Sequence, residues 1–312
     1  MRFFDELGAR IEQRWKEHQF DDSVFPEIAT AALESAGAIT SLSPWDIVRW
    51  LNTTESIPVQ QDLAGSFGNP PITLFQGERF HIDIYFWLDG TTTIHQHGFC
   101  GALQVLLGSS IHCEYNFKTT QELSTYFRVG EVKLIGVDLL EQGTIRRIDP
   151  GTGYIHSLFH LQRPSATICV RTHTTATGTP QYNYHPPSFA IVPTEKTPLA
   201  TRRYQAADLL LAMKHPEAGV MIHELLGHAD FPTTFFVLDL VRSHLKAPQL
   251  RDAFGLGSKY QFADFLETAR RFHGNLVDLI TPVLNEERRK MNIVHLRSSV
   301  TSPEHRSSWP CC

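Results

Sequence analysis

Between Phe80 and His173 apolar residues recur at every second position, and this change of period constrains the fold more than any other feature of the chain. Phe80, Ile82, Ile84 and Phe86 alternate with His81, Asp83, Tyr85 and Trp87, as they do in a strand whose two faces differ. Further runs of the same kind follow at ALQVLLG, IHCEYNF, VKLIGVDLL, TIRRI, YIHSLFHL and SATICVRTH, separated by Gly, Pro, Asp or Ser/Thr turns. Many short strands at close spacing predict a sandwich or a barrel. On either side the period is helical. Phe4, Leu7, Ile11 and Trp15 place an amphipathic helix over residues 2–18, and Ser43-Pro44 is a helix start, an N-cap followed by proline at the first helical position. Phe235, Leu238, Val241 and Leu245 share one helix face, as do Leu276, Leu279, Ile280, Val283 and Leu284. Gly68-Asn69-Pro70-Pro71 marks a boundary. The expected organisation is α+β: a helical segment over 1–70 packed on a barrel over 71–195, then a helical region over 196–312 whose polar end is disordered.

Within the strand-rich region, His95 and His97 stand two apart directly after the turn Asp89-Gly90-Thr91, so one strand face can offer both rings to a single metal. A third ligand comes from DPGTGYIHSLFH, where a Pro-Gly-x-Gly turn delivers His156 to the start of the next strand. His160 lies four residues further on, an even offset that returns it to the same face, as a fourth ligand, a partner to a ligand, or a packed ring.

These residues resemble the two motifs of the cupin superfamily. The first is matched by Gly90, His95, His97 and Gly108, with Gly101 where cupins carry glutamate. The second is matched by Gly143, Pro150, Gly153 and His156, with His160 where cupins carry asparagine. The resemblance implies a cupin-type antiparallel β-barrel, a double-stranded β-helix, with a metal on His95, His97 and His156. Cupins with three histidines and no glutamate are similar to the thiol dioxygenases, and Phe86–His97 looks like the tryptophan-to-histidine stretch of cysteine dioxygenase, one residue shorter. After Pro164 that family's Ser-x-His-x-Tyr series is replaced here by Thr167, Cys169 and Arg171. The resemblance implies Fe(II), with Zn, Mn and Ni as alternatives, and a small-molecule substrate used together with O2. Arg171 or Arg79 would take the place of the family's carboxylate-binding arginine.

Other residues leave two readings open. His81, Asp83, Tyr85 and Trp87 share a strand face that is either solvated or a pocket wall, with Tyr85 a candidate acid or base beside His160. Arg171 and His173 have the phase of Cys169, so an inward Arg171 calls for an anion, either a protein carboxylate or the substrate. Gln104 falls outward by motif counting. His223-Glu224-Leu225-Leu226-Gly227-His228 spaces its histidines five apart, not the four of a zinc peptidase helix, and Gly227 reads as a helix end.

A net charge of −5 provides no positive field for nucleic acid. The first twenty residues lack the apolar run of a signal peptide or membrane span, which points to a cytoplasmic protein without a membrane partner. Five cysteines, two of them the terminal Cys311-Cys312, do not form a disulfide framework or a prenylation box. A homodimer is left open. The expected function is a non-heme iron oxygenase acting on a small, anionic, heteroatom-bearing molecule. The alternatives are a zinc or manganese isomerase or hydrolase, and a cupin that binds a small molecule without catalysis.

Overall fold

A computed structural model describes residues 1–312 apart from 62, 64–66, 89, 194–196, 247–259 and 299–312. Asp89 of the expected turn, the polar tail and Cys311-Cys312 lie outside the described residues. The chain opens with helices α1 (Arg2–Glu17), α2 (Phe25–Ala36), α3 (Ala38–Ser41) and α4 (Pro44–Thr53). Phe4, Leu7, Ile11 and Trp15 are buried on one face of α1, as their spacing predicts. α4 begins at Ser43, whose hydroxyl accepts from Trp45 N–H while Asp46 accepts from Ser43 N–H.

Eleven strands follow: β1 (Pro71–Gln76), β2 (Phe80–Trp87), β3 (Ile94–His97), β4 (Gly101–Leu107), β5 (Ser110–Ser124), β6 (Phe127–Leu140), β7 (Ile145–Ile148), β8 (Gly151–His160), β9 (Ser165–Thr172), β10 (Asn183–His185) and β11 (Phe189–Ile191). One sheet has the order β1-β2-β9-β4-β7, and a closed barrel runs β10-β11-β6-β5-β8-β3. The pairings are antiparallel, so the fold is the expected cupin-type barrel within an α+β chain.

Among the described residues the chain forms two compact units, one of 1–117, 133–184 and 291–298, the other of 118–132 and 185–290. In the first, β2 pairs with β9 without interruption from Phe80↔Thr172 to Trp87↔Ser165. Because side chains alternate, one face of this sheet carries Phe80, Ile82, Ile84, Phe86, Ala166, Ile168 and Val170, which form a core with Phe4, Leu7, Ile11, Phe25 and Leu33 of α1 and α2. Each of the Phe, Ile, Leu and Val side chains, fully buried, contributes roughly 1.5–3 kcal/mol before entropy is counted. The opposite face carries His81, Asp83, Tyr85, Trp87, Thr167, Cys169 and Arg171 and lines a cavity.

The second unit contains α5 (Pro198–Ala212), α6 (Ala218–Leu226), α7 (Phe231–Lys246), α8 (Phe262–His273), a short 3-10 helix (Gly274–Leu279) and the part of α9 (Ile280–Ser298) up to Lys290. Its core joins Phe127, Val129, Phe189 and Ile191 to Leu211, Ile222, Phe235, Leu238, Phe265 and Val283. Gly227 ends α6, as its sequence position implied. Among the described residues no helix is long and apolar enough to cross a membrane.

Candidate metal centre

β3 and β8 bring the expected ligands together. His95 pairs with His156 across the ladder, and a register irregularity follows before His97 meets Gly151. The three ring centroids are 4.8–5.0 Å apart, and one nitrogen from each ring lies within 4.8 Å of the others. All three rings are buried. Burial first, then neighbouring positive groups (His95, Arg171 or the other rings), pushes His97 and His156 well below the ordinary imidazole range, so both are neutral donors at neutral pH.

Hydrogen bonds occupy one nitrogen of His95 and one of His156. His95 Nδ1 is 2.8 Å from Thr93 O, and His156 Nδ1 is 3.1 Å from His112 Nε2. His156 Nε2 and His97 Nδ1 are buried with no hydrogen-bond partner. An imidazole lone pair left unmet in the interior costs about 1–3 kcal/mol, and a divalent cation bound by His97 and His156 beside His95 removes that cost. The residues present therefore fit a metal ion.

Gly101, at the position where cupins carry glutamate, is packed out. A β-carbon there would lie 1.9 Å from Val170 O, so the backbone approach of β4 to β9 excludes any side chain. Three neutral imidazoles without a carboxylate hold borderline metals such as iron, zinc or nickel.

The three histidines open on a cavity of about 800 Å³ also lined by His81, Asp83, Tyr85, Trp87, Cys169 and Arg171. The pocket-wall reading of the β2 face is thus the correct one. Tyr85 donates to Asp83 Oδ2 at 2.9 Å, and His81 Nε2 is 3.1 Å from the same oxygen. His81 Nδ1 continues to His173 Nδ1 at 3.0 Å. Burial opposes ionisation of Asp83, yet the bond and charge of His81, with Thr73 and Tyr85, hold its carboxyl below the usual range. Burial and the Asp83 charge raise the Tyr85 phenol well above its ordinary value, and burial pushes the Cys169 thiol up to about 12. Both remain protonated.

Arg171 faces the same cavity, its guanidinium 3.5 Å over the Phe99 ring. Its Nε is buried without a hydrogen-bond partner, and among the described residues no carboxylate pairs with it. Arg79 instead lies over Phe20 and does not line the cavity. His160 is also absent from the lining: its Nδ1 is 2.8 Å from Ser110 Oγ and 2.9 Å from Ser165 Oγ, and its ring stacks on Trp87. Four residues along a strand span about 13 Å, so a shared face does not bring His160 to the ligand His156. Gln104 is buried and directs its amide nitrogen at Gly143 O, 3.5 Å away. His223 lies in the second unit, 2.7 Å from Thr268 Oγ1 and stacked on Phe265. Cys100, Cys113 and Cys169 are buried thiols outside any disulfide.

Sequence reasoning missed His112 and Tyr154, which contact the candidate ligand His156. The shared phase of His112 and Glu114 is visible in IHCEYNF, but their position beside His156 depends on the β5–β8 pairing.

The fold and site together define a cupin-type barrel with a three-histidine cluster that can hold a metal. No family model matches the chain, and no curated protein does. Among solved structures it resembles a hydroquinone 1,2-dioxygenase from Sphingomonas sp. TTNP3 with 4-hydroxybenzoate bound, at 11% identity over 36% of this chain and 70% of that one, TM-score 0.28. It also resembles a cupin-2 domain protein from Shewanella frigidimarina, at 11% identity over 44% and 100%, TM-score 0.25. A third is a sugar phosphate isomerase of the cupin superfamily from Silicibacter pomeroyi, at 15% identity over 43% and 79%, TM-score 0.27. The likeness is to cupins at large and concerns the fold alone.

Proposed function

We propose that the protein is a mononuclear non-heme iron oxygenase, a dioxygenase that uses O2 on a small anionic molecule bearing a thiol, amine or hydroxyl donor. The observation that carries this reading is the donor set: three buried imidazoles converge, among the described residues no carboxylate joins them, and Gly101 leaves no room for one. Iron held by His95, His97 and His156 would keep its full divalent charge and open positions, and would supply the activation of O2 beside the substrate donor.

The remaining tasks fall to the chain itself. Arg171 binds the anionic group of the substrate, offering parallel donors at fixed geometry. Asp83 Oδ2 is engaged by Tyr85 and His81, while Oδ1 is buried without a partner and is the atom free to accept a proton from the bound molecule. Phe67, Trp87 and Phe99 give the cavity an aromatic wall that limits water.

One observation favours a second, redox-neutral reading with zinc or manganese. The chain Tyr85–Asp83–His81–His173 is a ready acid–base array that needs no oxidant. Anaerobic purification followed by metal analysis and O2-uptake assays on small thiol, amino and hydroxy acids separates the two. Iron with substrate-dependent O2 consumption is the expected result. Zinc or manganese with no O2 uptake would replace the oxygenase by an isomerase or hydrolase, and a chain that takes up no metal would leave a binding protein.

A further inference from the structure

His112 is fully buried on β5, and none of the chemistry above uses it. Its Nε2 lies 3.1 Å from Nδ1 of His156 and 2.9 Å from the Tyr154 hydroxyl. Its Nδ1 has no hydrogen-bond partner and faces two carboxylates at the solvent edge, Glu114 Oε1 and Asp138 Oδ2, each 3.8 Å away. Arg146 lies 3.4 Å from the same Asp138 oxygen.

Proton bookkeeping orders these contacts. A neutral imidazole carries one N–H. A metal on His156 Nε2 takes that lone pair, so the His156 proton sits on Nδ1 and points at His112. His112 Nε2 must then present its own lone pair, shared with the Tyr154 hydroxyl. The proton of His112 consequently moves to Nδ1, on the side of Glu114 and Asp138. We propose that His112 is a positioning residue of the metal centre: it accepts the hydrogen bond from His156, locks the tautomer and orientation of that ligand, and links it to the Glu114–Asp138 carboxylates at the surface. Such a partner raises the basicity of the ligand and its hold on the metal. The inference rests on the reading of His95, His97 and His156 as metal ligands.

The test is a zinc titration of the full-length chain against a chromophoric chelator, with the visible spectrum of the cobalt(II)-loaded protein as a second readout. His112→Phe keeps a ring but offers no acceptor, and is expected to weaken zinc binding by roughly 10–100-fold and to alter the cobalt spectrum. His112→Gln restores an acceptor oxygen and is expected to bind within about threefold of wild type. Equal weakening in both variants would make His112 a packing residue, and wild-type affinity with an unchanged spectrum in His112→Phe would remove it from the centre. If His112→Phe fails to fold, the double variant Glu114→Gln/Asp138→Asn decides at the exposed end: a severalfold loss of affinity supports the link and no loss overturns it. A wild-type chain that binds no zinc overturns the metal-centre reading, and the inference with it.

Discussion

Arg171 and Asp83 bring opposite charges to one cavity, and each keeps a buried polar atom with no protein partner. Interiors rarely leave such atoms unmet, so a ligand that carries an anionic group and a donor hydrogen would complete both. Arg171→Lys keeps the charge but loses the planar fork, and should raise KM for the acidic substrate severalfold or more with metal content unchanged. Unaltered kinetics in Arg171→Lys and Arg171→Met would discard the role. Asp83 makes a pH-dependent contribution. Its folded pKa lies below the unfolded one, so its stabilisation is complete above about pH 4 and disappears as pH falls through the depressed value. Asp83→Asn should therefore cost about 1–3 kcal/mol at pH 7 in urea melts, a gap that narrows as the pH falls below the ordinary carboxylate range. A gap that does not vary with pH would show that the contacts of Asp83 do not depend on its charge.

At Gly101 β4 lies so close to β9 that no side chain fits. Gly101→Ala would drive a methyl group into Val170 O, and no rotamer change relieves a clash with backbone. The expected cost is about 3 kcal/mol or more by chemical denaturation, with loss of metal binding as β4 shifts. An alanine variant of wild-type stability would mean that the sheet opens freely there. Most of the longer strands were legible from period-two alternation, and the convergence of His95, His97 and His156 from the two-apart histidine pair, the turn before His156 and the resemblance of both segments to cupin motifs. The face of β2 was not. A polar cavity and a solvated surface select the same residue types, so His81, Asp83 and Tyr85 fit either until the register Asp83↔Cys169 places them beside Arg171. His112 was hidden for a different reason: it meets His156 through a pairing of strands 44 residues apart, which local pattern does not encode.

At the scale of the molecule, the two histidine-rich segments separate between the compact units. His95, His97 and His156 belong to one, and His223 and His228 to the other. Five-residue spacing had already turned His228 away from a shared helix face, and the packing of His223 against Thr268 and Phe265 gives that ring a structural partner. The central claim is that a single metal ion is held by His95, His97 and His156. Its most direct test is elemental analysis of the anaerobically purified chain beside His95→Ala, His97→Ala, His156→Ala and His223→Ala. The account predicts about one equivalent of metal in the wild type and in His223→Ala, and near-complete loss in each of the other three with the fold retained by circular dichroism. Full occupancy in any of those three, or loss in His223→Ala, would contradict it.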